Sequence, residues 1–179
     1  YHRLLDEGLQ HLQFCAKIYQ WQVQRGAYFL HEHPFTASSW RLPVMQDLKK
    51  LPGVDLVVGD QCPFGQGIWA KDANGNCIWA HALKRTGWLT NMPTLKETLA
   101  IRCNSASLPS DLRHQHIPLL YNRAKMTEVY PPRLVNAILK AVARQLKLDR
   151  GVPVHAVEIG PGPHVDEDPL DLDYTLLAP

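Results

Sequence analysis

The sequence predicts an α/β fold: a sheet with flanking helices, a β-hairpin insertion and an irregular acidic, Pro/Gly-rich C-terminal tail. Three observations lead there. Leu5, Leu9, Leu12, Ala16, Tyr19 and Val23 recur at spacings of four and three, and an aromatic strand-like run, Ala27–Leu30, follows at once. A β-branched run, Val54–Val58, and two Trp-containing runs on either side of Asn74-Gly75 supply further strands. After Arg150, proline, glycine and acid replace any periodic pattern.

Each element has its local reason. The first helix ends at Gly26, in the usual place beyond a helix C-terminus. Pro34 stops the strand that follows it. Ser38 or Ser39 can cap a short helix carrying Val44, Leu48 and Leu51, which Pro52-Gly53 breaks. Val54–Val58 reads as a buried strand opening into the polar loop Gly59–Gly65. Ile68–Ala70 and Cys77–Ala80 read as a hairpin about Asn74-Gly75. Gly87–Asn91 is a further strand, and Thr94 with Glu97 has capping-box spacing at the next helix start. Residues 102–116 read as loop. Pro131-Pro132 then begins a helix whose stripe is Leu134, Val135, Ile138, Leu139, Val142 and Leu146.

The bulk numbers bound the answer. With 179 residues, 45% apolar and 20% charged, the chain reads as one globular domain over 1–149 followed by a linker or tail over 150–179. A net charge of +2 is too small to argue for nucleic acid by itself. Asp166, Glu167, Asp168, Asp171 and Asp173 gather in the tail, so the body is more basic than the total. Cys15, Cys62, Cys77 and Cys103 show no disulfide rhythm, and neither a signal peptide nor a membrane span is visible. The expectation is an intracellular protein, cytoplasmic or nuclear, with no membrane partner. The sequence opens without Met inside a helical pattern and is expected to be a piece of something longer.

Chemistry-bearing residues fall at predicted strand ends, where loops on rigid elements carry function. His31-Glu32-His33 follows the aromatic strand, Asp60-Gln61-Cys62 follows the β-branched one, and Lys84-Arg85-Thr86 leads to Thr90-Asn91. These clusters are expected to share one cleft. Cys103, His114 and His116 could supply three zinc ligands, with Cys62 or His31 as a fourth. However, no Cys-x-x-Cys pair exists and the Cys103-to-His114 gap is not a standard knuckle, so zinc is not expected. Cys62 is the cysteine best placed for nucleophilic work. No Gly-x-Ser-x-Gly elbow, phosphate-binding loop or dinucleotide fingerprint occurs. Trp69, Trp79 and Trp88 can stack bases, but their apolar neighbours favour packing.

The order of these motifs resembles the later half of a cytosine-5 DNA methyltransferase fold, which implies a partial Rossmann-like sheet. A closer resemblance is to a methyltransferase-like module of copia-type retroelement polyproteins. It rests on Leu30-His31-Glu32-His33-Pro34, Ala37-Ser38-Ser39-Trp40, Gly59–Cys62, Lys84–Asn91, His114-Gln115-His116 and Tyr130–Leu134, about three quarters of the chain. The resemblance implies that Glu32 is a catalytic residue holding a cytosine ring that has left its stack. His31, His33, Asp60, Gln61, Cys62, Lys84, Arg85, Thr90 and Asn91 are the substrate-binding candidates. It implies S-adenosylmethionine as cofactor, with DNA or RNA and neighbouring polyprotein domains as partners. The attacking cysteine and most of the cofactor site would lie before Tyr1, so these residues alone are expected not to turn over. The alternative is a non-catalytic nucleic-acid or protein binding module that retains the fold. A metal-dependent hydrolase using His31, His33 and His116 is the outsider.

Overall fold

The computed structural model describes residues 2–72, 74–109, 113–120 and 122–151; the tail beyond Gly151 lies outside the described residues. A long helix, α1 (His2–Gln24), leads into β1 (Leu30–Pro34). A 3-10 turn over Ser38–Arg41 and a short helix, α2 (Pro43–Leu48), connect it to β2 (Asp55–Asp60). The hairpin β3 (Gly67–Lys71) and β4 (Cys77–His81) precedes β5 (Arg85–Thr90). Three helices follow: α3 (Pro93–Leu99), α4 (Arg123–Met126) and α5 (Pro132–Asp149).

The main sheet has the order β1-β5-β2, and β5 is antiparallel to both neighbours. It follows that β1 and β2 run parallel to one another without touching. The class is therefore mixed α/β, built on antiparallel pairings. Glu32 and Val57 both face Trp88 across β5, while His31 and Leu56 both face Leu89. Because side chains alternate across a pleated sheet, these two rungs lie on opposite faces.

Helices cover both faces. On one, Ala16 of α1, Met45 and Leu48 of α2, Phe29, Trp40, Val54 and Leu89 form a buried cluster. On the other, Trp88 packs with Met92, with Leu95 and Leu99 of α3, and with Leu134 and Ala141 of α5. Full burial of side chains such as Leu48, Leu89, Leu99 and Leu134, all at 0% exposure, is worth about 1.5–3 kcal/mol each. Gly87 makes the first cluster possible: a Cβ there would stand 2.8 Å from the Trp40 ring, which lies directly on its backbone.

The helix stripes are narrower than their sequence periodicity. Leu12, Ala16, Tyr19 and Val23 of α1 pack on the core, whereas Leu5 and Leu9 are exposed, because the first turns project past the sheet. On α5, Leu134, Ile138 and Val142 are covered while Val135, Leu139 and Leu146 face solvent. The places nearest α3 are taken instead by Ala141 and the buried Gln145. The Thr94–Glu97 capping box does not form: Met92 is the N-cap, and Thr94 Oγ1 donates to the Ala141 carbonyl instead. The β3–β4 hairpin forms as expected and stands as its own two-stranded sheet. Among the described residues, no helix is long and apolar enough to cross a membrane.

Candidate metal centre

Three loops meet where β2 ends. Cys62 opens a 3-10 turn immediately after β2 and is buried. Cys103 follows α3 on a segment tied down over the end of β2. There Asp60 N donates to Ile101 O at 2.8 Å, and Cys103 N donates to Asp60 Oδ2 at 2.9 Å. The buried Ser105 hydroxyl clamps His114, accepting from its amide at 2.8 Å and donating to its carbonyl at 2.9 Å. His116 makes an isolated parallel bridge to His81, completed by Ile117 N donating to His81 O at 2.8 Å. Each of the four side chains is therefore aimed by backbone held independently of any metal.

The donor atoms of Cys62, Cys103, His114 and His116 all lie within 4.8 Å of one another. The two Nε2 atoms of His114 and His116 are 3.1 Å apart. Cys103 Sγ lies 3.5 Å from each of them, and Cys62 Sγ lies 3.3 Å from that of His116. Zinc at about 2.3 Å from sulfur and about 2.05 Å from nitrogen requires tetrahedral edges of about 3.3 Å between nitrogens and about 3.5 Å between nitrogen and sulfur. Four of the six edges, those among Cys103, His114 and His116 and that between Cys62 and His116, lie within a few tenths of an ångström of these values. Two thiolates and two neutral imidazoles form a donor set that suits zinc among the common divalent metals. Burial, then the neighbouring Cys103 and Asp60, pushes the Cys62 thiol up to about 12. Burial and the adjacent imidazoles also lower His81 and His116, keeping both neutral. Without metal, Cys62 is thus a neutral thiol and His116 a neutral imidazole, and a divalent ion displaces the Cys62 proton.

Around the centre sit further polar groups. Asp60 is 2% exposed and receives Arg85 Nε on Oδ1 at 2.9 Å and Arg102 Nε on Oδ2 at 3.0 Å. Those donors outweigh its burial and hold its carboxyl below the usual range. His81 stacks on His114 with ring centroids 4.2 Å apart. A groove of about 580 Å³, lined by Lys71, Trp79, His81, His114 and His116 among others, opens on the histidine side.

The strand-end clusters divide. Glu32 lies within β1, paired opposite Trp88, rather than beyond the strand end. His31 and His33 point to the other face, where both rings pack edge-on against Trp40 and His31 Nδ1 lies 3.2 Å from Tyr19 Oη. Burial, with His33 and His11 nearby, takes His31 down to about 4. The His31–His33–His116 set of the hydrolase reading is therefore not assembled, and among the described residues the metal-ligand group is a different one.

Gln61 is buried, donating to Thr86 Oγ1 at 2.9 Å, and its Oε1 has no partner. Lys84, at φ 32°, donates to Thr127 O at 2.5 Å; burial lowers its pKa, and Glu32 and Glu128 partly offset that. Burial first, then the Glu32 carboxylate, raises the Tyr130 phenol, so Glu32, Lys84 and Tyr130 form a group on the α5 face. Thr90 and Asn91 sit at the opposite end of the sheet. Asn91 Oδ1 accepts from Phe29 N at 3.0 Å and its Nδ2 donates to Ala27 O at 2.9 Å, while Thr90 Oγ1 donates to Phe29 O at 2.5 Å. They close the entry to β1 and are not near the metal centre. Sequence reasoning did not single out Arg102 or His81, and took Tyr130 only as the start of the Tyr130–Leu134 motif. The one available signal was the position of Arg102 beside Cys103.

No family model, curated protein or solved structure matches this chain.

Proposed function

We propose that this chain is a zinc-stabilised, non-catalytic binding module. The observation that carries the reading is the convergence of Cys62, Cys103, His114 and His116, whose donor atoms lie within 4.8 Å of one another although Cys62 comes from a distant stretch of chain. Four protein ligands leave no position for water or substrate, which is the pattern of a structural zinc site. The role of the metal is to reinforce the hydrogen bonds that already tie the segment between α3 and α4 across the end of β2. The test is metal content of the purified chain together with cobalt substitution. One equivalent of zinc and a tetrahedral thiolate–cobalt spectrum are expected, both lost in Cys103→Ser and His116→Ala and kept in Cys15→Ser. A zinc-supplemented preparation with neither bound metal nor that spectrum overturns the reading.

A second reading keeps the methyltransferase-like resemblance, and one observation favours it. Glu32 shares a face with Gln61, Lys84 and Tyr130 where β1 and β2 end and β5 begins. In that reading Glu32 holds a base within a retroelement-type protein whose attacking thiolate lies on another segment. S-adenosylmethionine does not fit the residues described: no glycine-rich turn joins a strand to a helix at these strand ends. Glu32→Gln in a longer protein with measurable methyl transfer tests the assignment, and unchanged turnover removes it.

A further inference from the structure

Trp69 and Trp79 stand in solvent where their apolar neighbours argue for packing. They are directly opposite across the hairpin, with ring centroids 5.5 Å apart at 75°. Their exposures are 49% and 43%, against 2% for Trp88 and 5% for Trp40. Among the described residues no helix covers this pair, and Trp69 and the part of Trp79 that does not rest on Gly67 are open to solvent.

The foot of the same hairpin carries two guanidinium groups on one carboxylate, while Lys84 is balanced by Glu32 and Glu128. The hairpin leaves the main sheet after Asp60–Cys62 and returns at Lys84-Arg85. At that point one buried carboxylate, Asp60, binds two guanidinium groups, each through Nε. One arginine neutralises Asp60, so the second is surplus. Among the described residues, the Nη groups of Arg85 and Arg102 have no acceptor, and the two side chains are 42% and 47% exposed. Sharing one carboxylate keeps the guanidinium groups within roughly 8 Å of each other, a span that a phosphate can bridge. Arginine, planar and always charged, is suited to that contact. Lys84 is not part of it, because its ammonium is committed to Thr127 O.

We propose that this face binds single-stranded nucleic acid. A backbone phosphate sits on the fork of Arg85 and Arg102, and a neighbouring base stacks on Trp79 or Trp69. Trp79 is six residues from Arg85, so their Cα atoms are at most about 20 Å apart, a span of about three nucleotides. The aromatic pair selects single strands, since a base in a duplex has no free face to offer. The inference rests on the metal reading in one respect: Arg102 lies on the segment that the metal pins.

The experiment is anisotropy of a labelled fifteen-residue oligothymidylate with the zinc-loaded chain, over 50–200 mM salt, with zinc content and thermal melting recorded on the same samples. Trp79→Ala is expected to weaken binding on the order of tenfold and leave the salt slope unchanged. Arg102→Gln is expected to weaken binding and to lower the slope by about 0.7, with partial recovery in Arg102→Lys. A duplex of the same sequence, thymidine monophosphate and inorganic phosphate serve as competitors and are expected to displace the oligomer weakly. Absence of binding by a folded, zinc-loaded sample overturns the interface while leaving the metal centre standing. Equal competition by duplex or monophosphate, or wild-type binding by both variants, overturns it as well.

Discussion

The two ends of the main sheet are equally rich in polar side chains, yet they use them oppositely. At the entry to β1, Thr90 and Asn91 spend their hydrogen-bonding capacity on the backbone of Ala27 and Phe29. At the far end, two thiols and two imidazoles converge, and a buried carboxylate holds two arginines with donors to spare. The first end is closed chemically; the second is built to take something more. Residue type does not separate them, whereas an account of who bonds whom does.

The contrast can be broken most sharply by taking the metal away. A strong chelator, or Cys103→Ser, is expected to lower stability by about 4 kcal/mol, the linkage value for a ligand held at a thousand times its Kd. That corresponds to a fall in Tm on the order of 10 °C by calorimetry. A melting curve indifferent to chelation would remove the difference between the ends. Next in size, Asn91→Ala is expected to cost about 2 kcal/mol, since it strands the Phe29 amide and the Ala27 carbonyl. Its zinc content should equal that of the wild type; a loss of zinc would mean the two ends are coupled.

His31 sharpens the account of the face opposite Glu32. Its folded pKa, about 4, lies below the usual 6.5 of a histidine, so the unfolded chain takes up the proton first. The stability this imidazole contributes is fully present above about pH 6.5 and is lost as pH falls toward 4. His31→Gln in a Cys103→Ser background, where metal release plays no part, should flatten the acid limb of a denaturant-midpoint profile over that window. The loss at stake is about 2 kcal/mol once its partial exposure is allowed for. The smallest effect belongs to Trp79→Ala. With its ring already in solvent, less than about 1 kcal/mol of stability should be lost in urea unfolding. Trp88→Ala, at the same residue type in the core, should cost about 3–5 kcal/mol.

Much of the fold was legible because it is local. The 3-4 spacing of α1, the glycine after it, the hairpin about Asn74-Gly75 and the proline start of α5 each act within a few residues. The pairing of β5 between β1 and β2 was not legible, since it depends on contacts more than fifty residues apart in sequence on the β1 side. The metal site shows the same division. Cys103, His114 and His116 lie close enough along the chain to be read together, but the choice between Cys62 and His31 as fourth ligand is made by the pleat. His31 faces Trp40, while Cys62 lies past the end of β2 beside His116. Motif spacing could not show that these four side chains converge, because spacing rules describe knuckles and here the ligand-type residues are gathered by the sheet instead.

One feature of the sheet bears on how the chain reaches this state. β1 and β2 meet only through β5, the last of the three strands to be synthesised. Until Arg85–Thr90 has left the ribosome, the growing chain holds two strands with nothing to join them, and four open edges. Closing the sheet requires β5 to slide into a gap already bounded on both sides, a non-local and therefore slow step. Nascent chains stalled before Lys84 should recruit holdase chaperones and be protease-sensitive, and both should be abolished only once α5 has also emerged to cover the Trp88 face.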